Sequence, residues 1–256
     1  MECNVPTDIA FSFTGLCKRG GATAHHADGW GLALYEKRAA RVFLEPTAAA
    51  NSPLAKFLSE NPIKTLLAVG HIRKRTRGPT NLPNTHPFVR ELWGRHWVFA
   101  HNGTVKGARS LKLGRFAPIG STDSEHAYCH LLERLRTSFR DYPKSTADLW
   151  AAVADAGREI GKKGSFNFLL ADGEHLFARC ATKLCYLIRK APFGHARLSD
   201  EDVSIDFSTV TTPRDRVVVV STVPLTSNET WIHGDPGTMW VFDKGRLRAT
   251  FDETSG

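Results

Sequence analysis

The sequence predicts an α+β fold built on mainly antiparallel sheets. Hairpin signals outnumber strand–helix–strand units, and two segments carry apolar residues at helical spacing. Several apolar runs also end at Gly-, Asn- or Asp-containing turns.

Each element follows from its own residues. Phe11 to Leu16 reads as helix or core, and Trp30 to Glu36 with Arg41 to Glu45 reads as a hairpin. Ser52 then caps a short helix with Pro53 in its first turn, and Asn61-Pro62 ends it. Thr65 to Ile72 is an apolar strand that delivers Arg73 at its end. The stretch from Arg73 to Arg95 is a long connection punctuated by prolines, of the kind that is functional or disordered inside compact domains. Trp97 to His101 is a strand that closes on Asn102-Gly103. Thr122-x-x-Glu125 has the form of a capping box, followed at helical spacing by Tyr128, Leu131, Leu132, Leu135 and Phe139. A second helix runs from about Thr146 to Gly161, with Leu149, Val153 and Ile160 on one face. Phe166 to Ala171, Asp172-Gly173 and His175 to Ala178 form a strong hairpin signal. Leu184 to Arg189 and Val217 to Thr222 are further strands, and Met239 to Phe242 and Leu247 to Phe251 flank a turn at Lys244-Gly245. No repeat or linker divides the chain, so residues 1–256 read as one domain.

Composition narrows the classes of function. With 256 residues, 41% hydrophobic and 23% charged, the chain has an ordinary globular make-up and ample core. No apolar run approaches the ~20 residues needed to span a membrane, and the first residues carry neither the basic nor the apolar region of a signal peptide. The five cysteines form no Cys-x-x-Cys pair, so a reduced, cytoplasmic protein is expected. The net charge of +8 raises the question of nucleic acid. The sharpest cluster, Arg73, Lys74, Arg75 and Arg77, has no interleaved aromatic and no nucleic-acid motif around it. A basic surface around an anionic substrate is the preferred reading.

Four polar motifs carry the chemistry: His71-Ile72-Arg73, Asn84-Thr85-His86-Pro87, Ala100-His101-Asn102-Gly103 and Thr122-Asp123-Ser124-Glu125. A guanidinium fork at a strand end, as at Arg73, suits bidentate grip of a carboxylate, although a surface arginine in a basic run reads the same way. Asn102 and Gly103 offer a side-chain amide and an approachable backbone N–H, the two donors of an oxyanion hole, and they equally fit an ordinary Asn-Gly turn. Asp123 at a helix start is favourable for the helix alone, or it takes an ammonium group. His86 and His101 are candidate acid–base groups or ligands, yet no zinc spacing accompanies them. Structural hydrogen bonding is the simpler role for each histidine, and no metal or cofactor is expected.

In this order the motifs, with Asp28-Gly29-Trp30-Gly31 ahead of them, resemble the glutaminase domain of class II glutamine amidotransferases. Pro6-Thr7-Asp8-Ile9, Arg19-Gly20-Gly21, Ala191-Pro192-Phe193-Gly194 and Asn228-Glu229-Thr230-Trp231 extend the likeness, over nearly the whole chain, to the stand-alone bacterial YafJ-type members. The resemblance implies an N-terminal nucleophile hydrolase fold, an αββα sandwich with two mainly antiparallel sheets between helical layers. It implies that Arg73 holds the substrate α-carboxylate and Asp123 the α-ammonium. It assigns the oxyanion hole to Asn102 and Gly103, and gives His86 a part in shaping the pocket. It implies hydrolysis of glutamine or a γ-glutamyl peptide, with any ammonia passed to a separate synthase.

One departure stands against that likeness. The family's nucleophile is a cysteine that becomes the first residue, whose free α-amine acts as base. Here the chain opens Met1-Glu2-Cys3, and Glu2 is too large for removal of the methionine. The expectation is that the catalytic strand is missing ahead of Met1 and that the chain as given turns over little. The rival expectation is a non-catalytic γ-glutamyl-binding or regulatory subunit. Cys17 is read as a buried structural thiol and Cys129 as a packed one.

Overall fold

The computed structural model describes residues 1–75 and 78–252, so Arg77 of the basic run lies outside the described residues. The chain opens with strand β1 (Glu2–Asp8), helix α1 (Ala10–Arg19) and the hairpin of β2 (Trp30–Glu36) and β3 (Ala39–Glu45). Helix α2 (Pro53–Glu60) and strand β4 (Lys64–Ile72) follow. A second hairpin, β5 (Phe88–Leu92) and β6 (Arg95–Val105), leads to helices α3 (Asp123–Ser138) and α4 (Thr146–Gly161). Then come β7 (Gly164–Ala171), β8 (Leu176–Arg179), β9 (Cys185–Lys190) and the ribbon of β10 (His195–Arg197) and β11 (Ser204–Asp206). Strands β12 (Arg216–Ser221), β13 (Ile232–His233), β14 (Met239–Asp243) and β15 (Arg246–Phe251) complete the described chain. Among these residues no helix is long and apolar enough to cross a membrane.

Two antiparallel sheets are stacked. The seven-stranded sheet has the order β13-β9-β12-β1-β4-β2-β3, and the six-stranded sheet β15-β14-β8-β7-β6-β5. Strand alternation sends successive side chains to opposite faces. On β2, Ala33 and Tyr35 join the core between the sheets, while Leu32 and Leu34 pack with Phe13 of α1 and Leu58 of α2. On β6, Val98 and Ala100 face the other sheet, while Trp97 and Phe99 pack against Leu131 and Leu135 of α3 and Val153 of α4. The layers are therefore αββα, as the family resemblance implies. Because both faces of these strands are buried, they read in the sequence as near-continuous apolar runs.

Three local expectations are corrected. The connection from Arg73 to Arg95 is not all loop, since β5 pairs with β6 from Phe88↔Phe99 to Leu92↔Arg95. Trp93 and Gly94 both have positive φ, 59° and 69°, which is the two-residue turn whose twist matches a hairpin. Tryptophan in that conformation gave the sequence no turn signal. Asn102-Gly103 is not a hairpin turn but lies inside β6, which continues to Val105. At the start of α3, Thr122 Oγ1 accepts from the Glu125 N–H at 3.2 Å, but the Glu125 carboxylate does not return the bond. It is 1% exposed, accepts from the Ile119 and Gly120 N–H groups at 3.0 and 2.7 Å, and pairs with Arg90 at 2.5 Å.

The β7–β8 turn carries a buried polar cluster. Asp172 is 0% exposed and accepts from the Glu174 and His175 N–H groups at 2.9 and 2.7 Å and from the Tyr142 hydroxyl at 2.7 Å. His175 Nδ1 lies 3.2 Å from the same carboxylate, and the Arg95 guanidinium stacks 3.5 Å over the Tyr142 ring. Burial opposes the charges, yet the Asp172–His175 hydrogen bond and attraction prevail, so Asp172 is held below its usual pKa and His175 above. The His175 contribution to stability is thus complete below pH about 6.5 and fades as pH rises through the raised folded value. Asp172 contributes fully above pH about 3.9 and loses that contribution as pH falls through its lower folded value. Urea unfolding should show Asp172→Asn costing about 3 kcal/mol at pH 6. The cost of His175→Gln should be larger at pH 6 than at pH 9; an equal cost at both would contradict the charged pair.

Candidate active site

Strand β4 ends at Ile72, and Arg73 is the next residue. Its backbone is held from both directions: its N–H donates to the Gly29 carbonyl at 2.7 Å and its carbonyl accepts from the Asp28 N–H at 3.0 Å. The Asp28 carboxylate also accepts from the Arg75 N–H at 2.9 Å and lies 3.3 Å from the Thr80 hydroxyl, fastening the segment that follows. The Arg73 guanidinium is 4% exposed and donates to the Pro79 carbonyl at 3.1 Å. Desolvation lowers its pKa, the Asp28 charge opposes this, and the side chain stays cationic.

The five residues Arg73, His86, Asn102, Gly103 and Asp123 line one cavity of about 340 Å³. Asp123 opens α3, and its Oδ2 accepts from the Val105 N–H at 2.6 Å. Gly103 lies two residues before Val105, so the alternation of the strand turns its N–H to the same edge of β6. Strand β5 has ended by then, opposite Phe99, and the Gly103 N–H therefore faces the cleft. Gly103 has φ of 148°, and a Cβ there would stand 2.1 Å from the Ser165 carbonyl oxygen. Only glycine lets β6 and β7 keep their register at this point. The exposed Asn102 side chain lies beside it on the cavity wall.

The histidines of the cleft are uncharged. His86 is 4% exposed and stacks between His71 and Phe88, with ring centroids 4.4 Å from each. Burial holds its pKa well below 6.5. Burial, with His101 nearby, lowers His71 to about 3, and burial also lowers His101. His101 bridges Ser124 Oγ at 2.8 Å and the Ser165 carbonyl at 3.0 Å, while His71 Nε2 meets the His101 carbonyl at 3.2 Å. His86 departs from the expected structural role, because neither ring nitrogen has a partner among the described residues. The motif Asp28-Gly29-Trp30-Gly31 is explained at the same place, since a Cβ on Gly31 would meet the His86 carbonyl oxygen at 2.4 Å.

None of the five thiols lines this cleft. Cys3 is buried, with Sγ 3.2 Å from the Thr65 and Leu66 carbonyls, and burial raises its pKa. Burial pushes Cys17 up to about 12 and Cys129 up to about 11. Cys129 is fully buried as expected, whereas Cys17 is only partly so.

A second cavity, of about 370 Å³, adjoins the cleft at His71, His101, Asn102 and Asn167. It is a gap in the seven-stranded sheet. Met1 and Ala68 exchange both backbone hydrogen bonds at 2.9 Å, and Glu2 pairs with Leu67 and Val218. Beyond that level β4 runs on to Ile72 paired with β2, and β12 runs on to Ser221 paired with β9. Among the described residues no strand lies between them. Leu32, Gly70, Phe168, Leu169 and Val219 line the space.

Sequence reasoning missed Asn167 and Thr182, and gave no role to Ser124 of the fourth motif; all three share the cleft wall. A visible signal existed for Asn167, a polar residue within the apolar run from Phe166 to Ala171.

Comparisons with known proteins agree over the full length. The profile of glutamine amidotransferases class-II matches residues 1–255. The chain is 50% identical over 245 residues to the putative glutamine amidotransferase YafJ of Escherichia coli strain K12, covering 96% of each. It is 44% identical to a putative glutamine amidotransferase of Haemophilus influenzae, covering 96% of this chain and 83% of that one. The crystal structure of a predicted glutamine amidotransferase from Pseudomonas aeruginosa superposes with a TM-score of 0.77 at 42% identity, covering 97% of both. The glutamine phosphoribosylpyrophosphate amidotransferase of Bacillus subtilis shares the fold at 16% identity and a TM-score of 0.61, covering 96% of this chain and 47% of that one.

Strain at the cleft floor is testable by unfolding. Gly103→Ala should lower the melting temperature by roughly 5 °C or more, through positive φ and the clash with Ser165. Gly194→Ala, where a Cβ meets nothing within 4 Å, should change stability by less than about 0.5 kcal/mol. Equal melting points for the two variants would remove the argument.

Proposed function

The chain belongs to the class II glutamine amidotransferases, and from that membership we propose that it hydrolyses glutamine or another γ-glutamyl amide in the polar cleft. One arrangement carries the reading. A buried arginine and a helix-start carboxylate stand in the cavity wall, with the more exposed Lys74 and Arg75 at the same cavity, and a backbone N–H and a side-chain amide lie beside them. The three buried histidines are neutral, so they do not compete for either end of a zwitterion.

In this reading Arg73 takes the α-carboxylate through its fork and Asp123 takes the α-ammonium. Both Oδ2 and the backbone around Arg73 are already fixed by Val105, Asp28 and Gly29, so the two grips are set before substrate arrives. The γ-carbonyl then lies toward Gly103 and Asn102. A thiolate attacks the γ-carbon, and the oxyanion takes hydrogen bonds from the Gly103 N–H and the Asn102 amide. The tetrahedral adduct expels the amine, which leaves with the proton that the thiol had given to the cysteine's own α-amine. Water then cleaves the γ-glutamyl thioester to glutamate and free thiol. His86 shapes the wall and offers ring nitrogens to the substrate. Released ammonia passes to a separate acceptor synthase.

The attacking thiol comes, in this proposal, from a cysteine on an extended segment that continues β1 backward into the gap between β4 and β12. From the level of Ala68 to that of Ile72 such a segment needs about four residues at ~3.4 Å each. Its end would reach the cleft beside Asn102, where the two cavities meet. Residues 1–256 alone would then bind a γ-glutamyl group and turn over little. The binding-only reading, a γ-glutamyl-binding or regulatory subunit, is favoured by the lack of any thiol in the cleft.

Two measurements test these roles. In titration calorimetry, Arg73→Ala and Asp123→Ala should each raise the glutamine Kd at least tenfold, about 1.4 kcal/mol, while Lys112→Ala should not. Equal affinities across the three would refute the site. Intact mass and N-terminal sequencing of the protein from its native gene should reveal a heavier chain that begins with cysteine and hydrolyses glutamine. A chain that begins at Met1 would favour the binding-only reading.

A further inference from the structure

Asn167 stands opposite Asn102 in the β6–β7 ladder, on the wall common to both cavities. It is 5% exposed, and its amide is used at both ends. Oδ1 accepts from the Ala181 N–H at 2.7 Å and the Thr182 N–H at 2.9 Å. Nδ2 donates to the Asn102 carbonyl at 2.9 Å and to Thr182 Oγ1 at 2.9 Å. A buried amide with every bond met is rigid, because turning it leaves desolvated donors and acceptors unpaired.

The carbonyl it holds matters most. The Asn102 C=O and the Gly103 N–H belong to one peptide unit, which is planar and trans. Fixing the oxygen on the β7 side therefore fixes the direction of the N–H on the opposite side, where β5 is absent and the cleft lies. Gly103 needs such a restraint, since a glycine with φ of 148° has no side chain to limit its rotation.

We propose that Asn167 is a positioning residue that aims the Gly103 N–H into the cleft and couples that donor to the Ala181–Thr182 segment. The proposal rests on the oxyanion role given to Gly103 above. Asn167 touches no reacting atom. It acts through the Asn102 carbonyl, so its loss should slow the chemical step without weakening the grip on the amino-acid end.

The test is Asn167→Asp in the protein from its native gene. Aspartate keeps the acceptor for Ala181 and Thr182 but replaces the donor facing the Asn102 carbonyl with an oxygen. Misaiming one oxyanion donor should lower kcat for glutamine by roughly 10–100-fold, with KM within about twofold. The Gly103 amide resonance of the unliganded protein should shift, and those of residues around Asp123 should not. Should the aspartate variant not fold, Thr182→Val removes the second partner of Nδ2 and should give a smaller fall in kcat with the same Gly103 shift. An unmoved Gly103 resonance, or a rise in KM with kcat intact, overturns the positioning role. If the unmodified protein neither binds nor hydrolyses glutamine, the functional reading fails, and the resonance alone decides the inference.

Discussion

Strand β6 outruns its neighbour. Strand β5 covers it only from Arg95 to Phe99, while β7 pairs with it as far as Val105. The uncovered edge from Ala100 onward is a row of backbone groups that another strand would ordinarily satisfy. Here the row is shared out. Val105 donates to Asp123, His101 accepts from His71, and Gly103 is left facing the cleft. The site depends on that shortfall, because a full-length β5 would cap the same groups and close the cavity.

Burial decides the charge pattern. The αββα layering encloses the ends of β4 and β6, so titratable groups there keep a charge only where a partner or a ligand compensates. His71, His86 and His101 lose theirs, and the two that are hydrogen-bonded become fixed polar walls. Arg73 keeps its charge as a guanidinium that does not deprotonate, and Asp123 stands at a helix N-terminus. The same logic governs the Asp172 cluster at the β7–β8 turn, where mutual pairing lets an aspartate, a histidine and an arginine remain buried. That cluster is satisfied mostly within the fold, with Arg95 Nε its one buried nitrogen that has no partner among the described residues.

The gap beside Met1 shows a related constraint in the other sheet. Two strands that extend past their common neighbour leave a channel lined by apolar side chains and strand edges, and its inner end touches the cleft.

Much of the fold was legible because central strands such as β2, β6 and β7 are buried on both faces. Apolar runs such as Thr65 to Ile72 and Phe166 to Ala171 could be little else than core strands, and the Ser52 and Thr122 caps marked real helix starts. Strand β5 was not legible, since its turn uses a tryptophan at positive φ, which no turn preference anticipates. The residue types of the site were also written in the sequence: Arg73 after a strand, Asn102-Gly103 and Asp123 at a helix start. Their convergence was not, because it depends on how the two stacked sheets bring three separate segments, from Arg73 to Asp123, to one cleft. The alternation of β6 turns the Gly103 N–H away from β7, and the start of β5 at Phe88 leaves that edge without a strand neighbour among the described residues. Sequence by itself determined which groups this protein carries and the layers that would hold them. Tertiary structure alone decided which backbone edges stay unpaired, since a hydrogen bond left open is a property of neighbours and not of any residue.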